Sequence, residues 1–159
     1  MKTNKVIKAS VLAPRLAQEQ RRGKTIVFTN GVYDLVHAGH VALLEQSKRL
    51  GDLLVVGINT DASVKRLKGP KRPLAGQKDR ARVLAALHAV DYVTFFGEDT
   101  PYELLRQLKP DVLVKGGDYT RDRIVGRDIV KKVVRIPLVK GRSTSHLIAK
   151  VLKAYGKSR

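Results

Sequence analysis

Cysteine is absent from the 159 residues, tryptophan is absent too, and phenylalanine occurs only three times. Without thiols there is neither a disulfide framework nor a cysteine zinc site. A chain of this length buries enough surface to need no such staple. Apolar runs are only a few residues long, far short of a membrane span. The basic stretch from Met1 to Arg22 lacks the continuous apolar segment of a secretory leader. The expectation is a soluble, cytoplasmic protein with no membrane partner.

Acidic residues are the other shortage. Asp and Glu number 14 against 32 Lys and Arg, a formal charge of +18. Such a surplus attracts anions, and a basic nucleic-acid-binding module is one reading of it. Three features weigh against that reading. The cations are spread along the chain rather than gathered in a tail, aromatic residues for base stacking are few, and enzymes of phosphorylated small molecules profit from the same field. Taken singly, most of these side chains read as solvated surface.

What the chain does contain is a regular alternation of strand-like and helix-like segments. Compact apolar runs at 25–29, 53–58, 92–96, 112–114 and 133–138 predict strands. Between them, helical spacing predicts helices over 9–22, 41–50, 61–67, 79–87, 101–108 and 143–155. Their apolar sides are Val11, Leu12 and Leu16 in the first, Val41, Leu44 and Leu50 in the second, and Val83, Leu84 and Leu87 in the fourth. Continuous rather than alternating apolar strands imply burial on both faces, as in a parallel sheet. The expected fold is therefore α/β: one doubly wound, Rossmann-like domain over 1–159, with five parallel strands, helices on both faces, and residues 1–23 as a helical extension. Ligands in such folds bind outside the carboxyl ends of the strands.

The first strand runs into Thr29-Asn30-Gly31-Val32-Tyr33-Asp34, then Leu35-Val36-His37-Ala38-Gly39-His40, and then a helix. Two histidines three residues apart share a face if both lie in the first helical turn. Gly39 between them leaves the backbone open to a phosphate, which the helix N-terminus favours. Two imidazoles there can donate to oxygens that gain charge during phosphoryl transfer. A zinc site is an alternative, though no third ligand is evident; surface or structural histidines are another. Asp34 is placed to orient a histidine, to accept from a sugar hydroxyl, or to help hold Mg²⁺.

Residues 28–40 resemble the signature of the His-x-Gly-His nucleotidylyltransferases, a superfamily that includes glycerol-3-phosphate cytidylyltransferase. Asn59–Ser63, Lys65–Gly69, Arg72-Pro73, Glu98–Pro101 and Lys115–Tyr119 follow in an order that resembles the heptose 1-phosphate adenylyltransferases. The resemblance runs from about residue 24 to 152. It implies transfer of AMP from Mg²⁺-bound ATP to D-glycero-β-D-manno-heptose 1-phosphate, giving ADP-heptose and pyrophosphate for lipopolysaccharide core precursors. The chain looks like the stand-alone form, without the sugar kinase to which this part is often fused, and a homodimer is carried over from related enzymes. The nearest rival is a cytidylyltransferase acting on a polyol or sugar phosphate.

The same resemblance supplies site residues. His37, His40 and Lys68 are expected to be catalytic. Thr29, Asn30, Gly31, Gly39, Lys65, Arg80, Lys115, Gly116, Gly117, Ser143, Thr144 and Ser145 are expected at the nucleotide, and Asp34, Asp61 and Asp118 at the sugar phosphate. For Arg80 a structural ion pair competes with phosphate binding. For Ser143 helix capping is an alternative.

Overall fold

In the computed structural model, which describes residues 4–117, 124–137 and 144–156, five strands pair into one parallel sheet. They are β1 (Ile26–Gly31), β2 (Leu53–Asn59), β3 (Tyr92–Phe96), β4 (Val112–Gly116) and β5 (Lys132–Ile136), in the order β3-β2-β1-β4-β5. The helices are α1 (Ala9–Arg21), α2 (Ala38–Lys48), α3 (Asp61–Lys68), α4 (Gln77–Ala86), α5 (Tyr102–Leu108) and α6 (Thr144–Tyr155). This is the doubly wound α/β architecture read from the sequence. Strand order reverses between β1 and β4, so the switch point lies at their carboxyl ends.

Successive strand residues face opposite sides of the sheet, and two separate cores record this. Val27, Leu54, Val56 and Ile58 pack with Leu43 and Leu44 of α2 and Ala81 and Leu84 of α4. Ile26, Phe28, Val55 and Leu113 pack on the other face with Leu12 and Leu16 of α1 and Leu104, Leu105 and Leu108 of α5. Each fully buried aliphatic side chain contributes about 1.5–3 kcal/mol, so both layers are needed.

Two helix faces differ from expectation. Val11 and Val83 are exposed at 44% and 48%. In α4 the buried side belongs instead to Arg80, Ala81 and Leu84. An arginine in that stripe breaks the apolar pattern, so spacing alone set the face one residue off. The fifth strand ends at Ile136, and Leu138 lies outside the described residues.

Residues before α1 add a feature that helical spacing does not reveal. Val6 bridges Val93 in parallel, with Ile7 N–H donating to the Val93 carbonyl and Val93 N–H to that of Lys5, both at 2.9 Å. The first residues thus lie along the outer side of β3 rather than forming only a helical extension. Among the described residues, no helix is long and apolar enough to cross a membrane.

Candidate active site

The turn between β1 and α2 is fixed from three directions. Asp34 is buried, and its Oδ1 accepts from the backbone N–H groups of Leu74 and Ala75 at 2.7 and 2.9 Å. Its Oδ2 accepts from Arg72 Nε. Val32 gives its carbonyl to Arg80 Nη1 at 2.6 Å. Tyr33 sits between them at φ 51, the left-handed region that a bulky residue adopts only when its surroundings impose it. Its buried ring approaches Gly31 so closely that an added Cβ there would lie 3.0 Å from it, and any larger residue would require the ring to shift by a few tenths of an ångström. Burial pushes the Tyr33 phenol up to about 12.

This rigid turn delivers the histidines. α2 starts at Ala38, three residues earlier than the spacing predicts, with His37 as its N-cap in extended conformation. His40 then stands one turn in, and the two rings stack with centroids 3.9 Å apart and 20° between planes. Tyr33 closes on His40 from the side, at 5.0 Å and 57°. Burial and the neighbouring charge of His37 lower the His40 pKa to about 4, against a smaller opposing pull from the Leu35 carbonyl. His40 is therefore neutral at physiological pH, and its Nδ1 is buried without a hydrogen bond from a described residue. A phosphate oxygen entering at this helix N-terminus meets backbone N–H groups and imidazole edges together. Gly39 is buried in the same first turn.

The other expected residues divide into those gathered here and those committed elsewhere. Thr144 opens α6 and its hydroxyl donates to the Leu35 carbonyl at 3.4 Å, so the start of α6 reaches the histidine turn. Ser145 follows it, exposed. Thr29 is buried in β1. Asn30, next along, accepts through Oδ1 from Lys115 Nζ across the β1–β4 boundary. Gly116 ends β4, and Gly117 has φ 102 with its N–H on the Ile136 carbonyl at 3.1 Å. Asp118 and Ser143 lie outside the described residues.

Lys65 and Lys68 are exposed in the last turn of α3, which Gly69 closes at φ 92, and neither pairs with a described residue. They belong to a helix end rather than to the loop, and the structure does not draw them against the histidines. Between them, Arg66 is bound to Asp99 at 2.9 Å and to the Gly97 carbonyl.

Three expected site residues are engaged by the fold itself. Arg80 is 1% exposed, and its guanidinium binds the carbonyls of Ala75, Val32 and Asn59 and the carboxylate of Asp61. It is a brace joining three loops, the structural ion pair that competed with phosphate binding. Asp61 is the other half of that brace: it pairs with Arg80 at 2.7 Å and accepts from Gln77 N–H at 3.1 Å. Desolvation works against its charge, but the Arg80 and Gln77 donors outweigh it and hold the carboxyl below its usual range. Both oxygens of Asp34 anchor the 72–75 segment.

Sequence reading missed Tyr33 and Arg72 as site builders. Tyr33 lay inside the motif but carried no chemical signal of its own. The partner of Arg72 is 38 residues away, a distance at which no spacing rule operates. Among the described residues, no group of three or more His, Cys, Asp or Glu is placed to hold a metal ion.

Comparison with known proteins agrees with this geometry. The family described as cytidylyltransferase-like matches residues 28–156. The bifunctional protein HldE of Geobacter sulfurreducens is 54% identical over 156 residues, which are 96% of this chain and 32% of that protein. HldE of Wolinella succinogenes is 56% identical over 138 residues, 86% of this chain and 29% of that one. The chain thus spans about a third of the length of the curated relatives it matches. The crystal structure of the lipopolysaccharide core biosynthesis protein from Thermoplasma volcanium superposes with a TM-score of 0.64 at 31% identity, covering 74% of this chain and 100% of that one. Pantoate-beta-alanine ligase from Francisella tularensis shares the fold alone, at a TM-score of 0.59 and 17% identity over 90% of this chain and 69% of that one. A helix N-terminus bearing stacked histidines, set at the switch point of a doubly wound sheet, is what this match covers, and the chain belongs to the cytidylyltransferase-like family.

Proposed function

We propose that the chain is an adenylyltransferase that transfers AMP from ATP to D-glycero-β-D-manno-heptose 1-phosphate, forming ADP-heptose for lipopolysaccharide core precursors. The observation that carries the chemistry is the stacked His37–His40 pair at the N-terminus of α2. The heptose assignment is supported by the Lys115–Tyr119 block and its flanking motifs, and by similarity of 54% and 56% to the two HldE proteins.

In this reading a phosphate oxygen of the sugar phosphate attacks the α-phosphorus of ATP. The bond from that phosphorus to the bridging oxygen breaks, and pyrophosphate leaves with the electron pair. A phosphate monoester dianion is nucleophilic already, so catalysis reduces to positioning and charge stabilisation. The α2 N-terminus and the two imidazoles stabilise charge at the reacting phosphate. Lys65 and Lys68, exposed and hydrogen-bonded to no described residue, neutralise the departing pyrophosphate. Mg²⁺ would enter with ATP as part of the substrate and would offset charge on its phosphates. Asp34, the acid nearest the histidines in sequence, has its oxygens taken by protein donors and is not offered to the ion. We place the reaction in the cytoplasm, where ATP is available.

The test is product formation from purified protein with ATP and heptose 1-phosphate. ADP-heptose and pyrophosphate in equal amounts are expected. Faster pyrophosphate release with CTP across a panel of sugar and polyol phosphates would move the assignment to a cytidylyltransferase.

A further inference from the structure

A cavity of about 310 Å³ opens between the carboxyl ends of β1 and β4, beside the histidine turn but not lined by either histidine. Asn30 and Lys115 form its floor, Asp99 and Thr100 one wall, and Ile124 and Val125 another. Lys115 is the one cation among these lining residues. Its Nζ donates to the Asn30 amide oxygen, a neutral partner, which leaves two N–H groups. Asp99 lines the same cavity, yet its Oδ1 is held by Arg66 from both Nε and Nη2, at 3.0 and 2.9 Å. No carboxylate among the described residues pairs with Lys115.

An amine kept out of water without a counter-ion is costly unless something else supplies the charge. We propose that this cavity receives the acceptor, with Lys115 holding the phosphate of the sugar phosphate while Thr100 and Asp99 meet its hydroxyls. The inference rests on the transferase reading above and moves Lys115 from the nucleotide to the acceptor. Size supports the acceptor. The volume stands at the small end of ligand sites, matching one sugar ring and its phosphate rather than a nucleoside triphosphate. Position supports it as well, because β1, whose carboxyl end lines this cavity, runs on into the turn that bears the histidines, where the α-phosphate is to sit. Burial also lowers the Lys115 ammonium to about 8. Its charge is present below that pH and is lost above it, so acceptor capture should weaken as pH rises through about 8. Among the described residues, the ionisable side chains around it are Asp99, through Asp99 Arg66, and Arg135, its register partner on β5.

A lysine with a depressed pKa acylates faster than its exposed neighbours, which gives a readout independent of turnover. Trace acetylation with acetic anhydride, read by mass spectrometry at Lys115, is run on the wild-type protein alone, with α,β-methylene-ATP, and with that analogue plus heptose 1-phosphate. Protection appearing only when the sugar phosphate is added supports the inference. Protection complete with the nucleotide analogue alone, or absent in every arm, overturns it. In kinetics, Lys115→Met should raise KM for heptose 1-phosphate by roughly 10- to 100-fold, the effect of one charge-assisted hydrogen bond, with KM for ATP little changed. A larger rise for ATP overturns the assignment. Lys115→Arg, charged at every accessible pH, should remove the fall above about pH 8. If Lys115→Met does not fold, the labelling of wild-type protein still decides. Wild-type turnover with an unprotected Lys115 sinks this inference alone, whereas failure to form ADP-heptose sinks the transferase reading and this one together.

Discussion

His37 and His40 lie face to face, 3.9 Å between ring centroids, so a proton on one is felt directly by the other. One ring belongs to the N-cap residue and the other sits a turn inside the helix, which places both at the positive end of the α2 dipole. The pair is arranged to respond to arriving negative charge.

Removing either ring should therefore act on the transition state. His37→Ala or His40→Ala is expected to lower kcat by roughly 10²–10³-fold, the loss typical of one positioned donor. KM for ATP should change less, and asparagine should be the milder replacement at one of the two positions. Steady-state kinetics with a circular dichroism check on folding would settle it, and near-normal turnover in both alanine variants would remove the pair from the chemistry.

The neutral state of His40 has a consequence for stability. Its folded pKa, about 4, lies below the 6.5 of an unfolded imidazole. The unfolded chain thus takes up this proton first as pH falls, and the contribution is fully present above about pH 6.5 and lost on the way to pH 4. Urea denaturation at pH 7 and pH 4.5 should show wild-type protein losing more stability between the two than His40→Asn. Equal losses would mean that the ring titrates normally.

Arg80 tests a brace against a ligand. Arg80→Ala strips Asp61 and three carbonyls, one buried and two partly buried, of their donor and should cost about 3–5 kcal/mol. Arg80→Lys should recover little of this, since an ammonium cannot span the same fork. A higher KM for ATP at unchanged thermal midpoint would return Arg80 to the phosphates.

Lys65 and Lys68 should show the reverse pattern. Both are exposed, so alanine at either position should leave stability within about 0.5 kcal/mol. Apparent KM for ATP should rise more than that for the sugar phosphate. Unchanged kinetics in both variants would make this helix end ordinary solvated surface.

The fold was legible because each strand contains a compact apolar run and each helix segment has its own spacing. The histidine pair was legible because its partners are local, three residues apart. Asp34 and Arg80 misled for the opposite reason. Their types suit phosphate and sugar chemistry, but their partners, Arg72, the 74–75 backbone, Val32 and Asn59, come from distant segments. Whether a charged side chain is already satisfied by its own fold is a three-dimensional fact that motif order does not carry. Lys115 shows the converse: its motif was visible, while its lack of a counter-ion emerged only with the packing around it.

The strand-like segment before α1 constrains the order in which this chain can assemble. Lys5 donates through Nζ to the carbonyls of Leu87 and Val90, the latter 85 residues along the chain, and its backbone joins β3 at Val93. During synthesis this segment has no docking place until Val90 and β3, some 85 residues further along, have emerged. The segment therefore closes over the edge of the sheet only once β3 is in place, and pairing at such a sequence separation forms slowly.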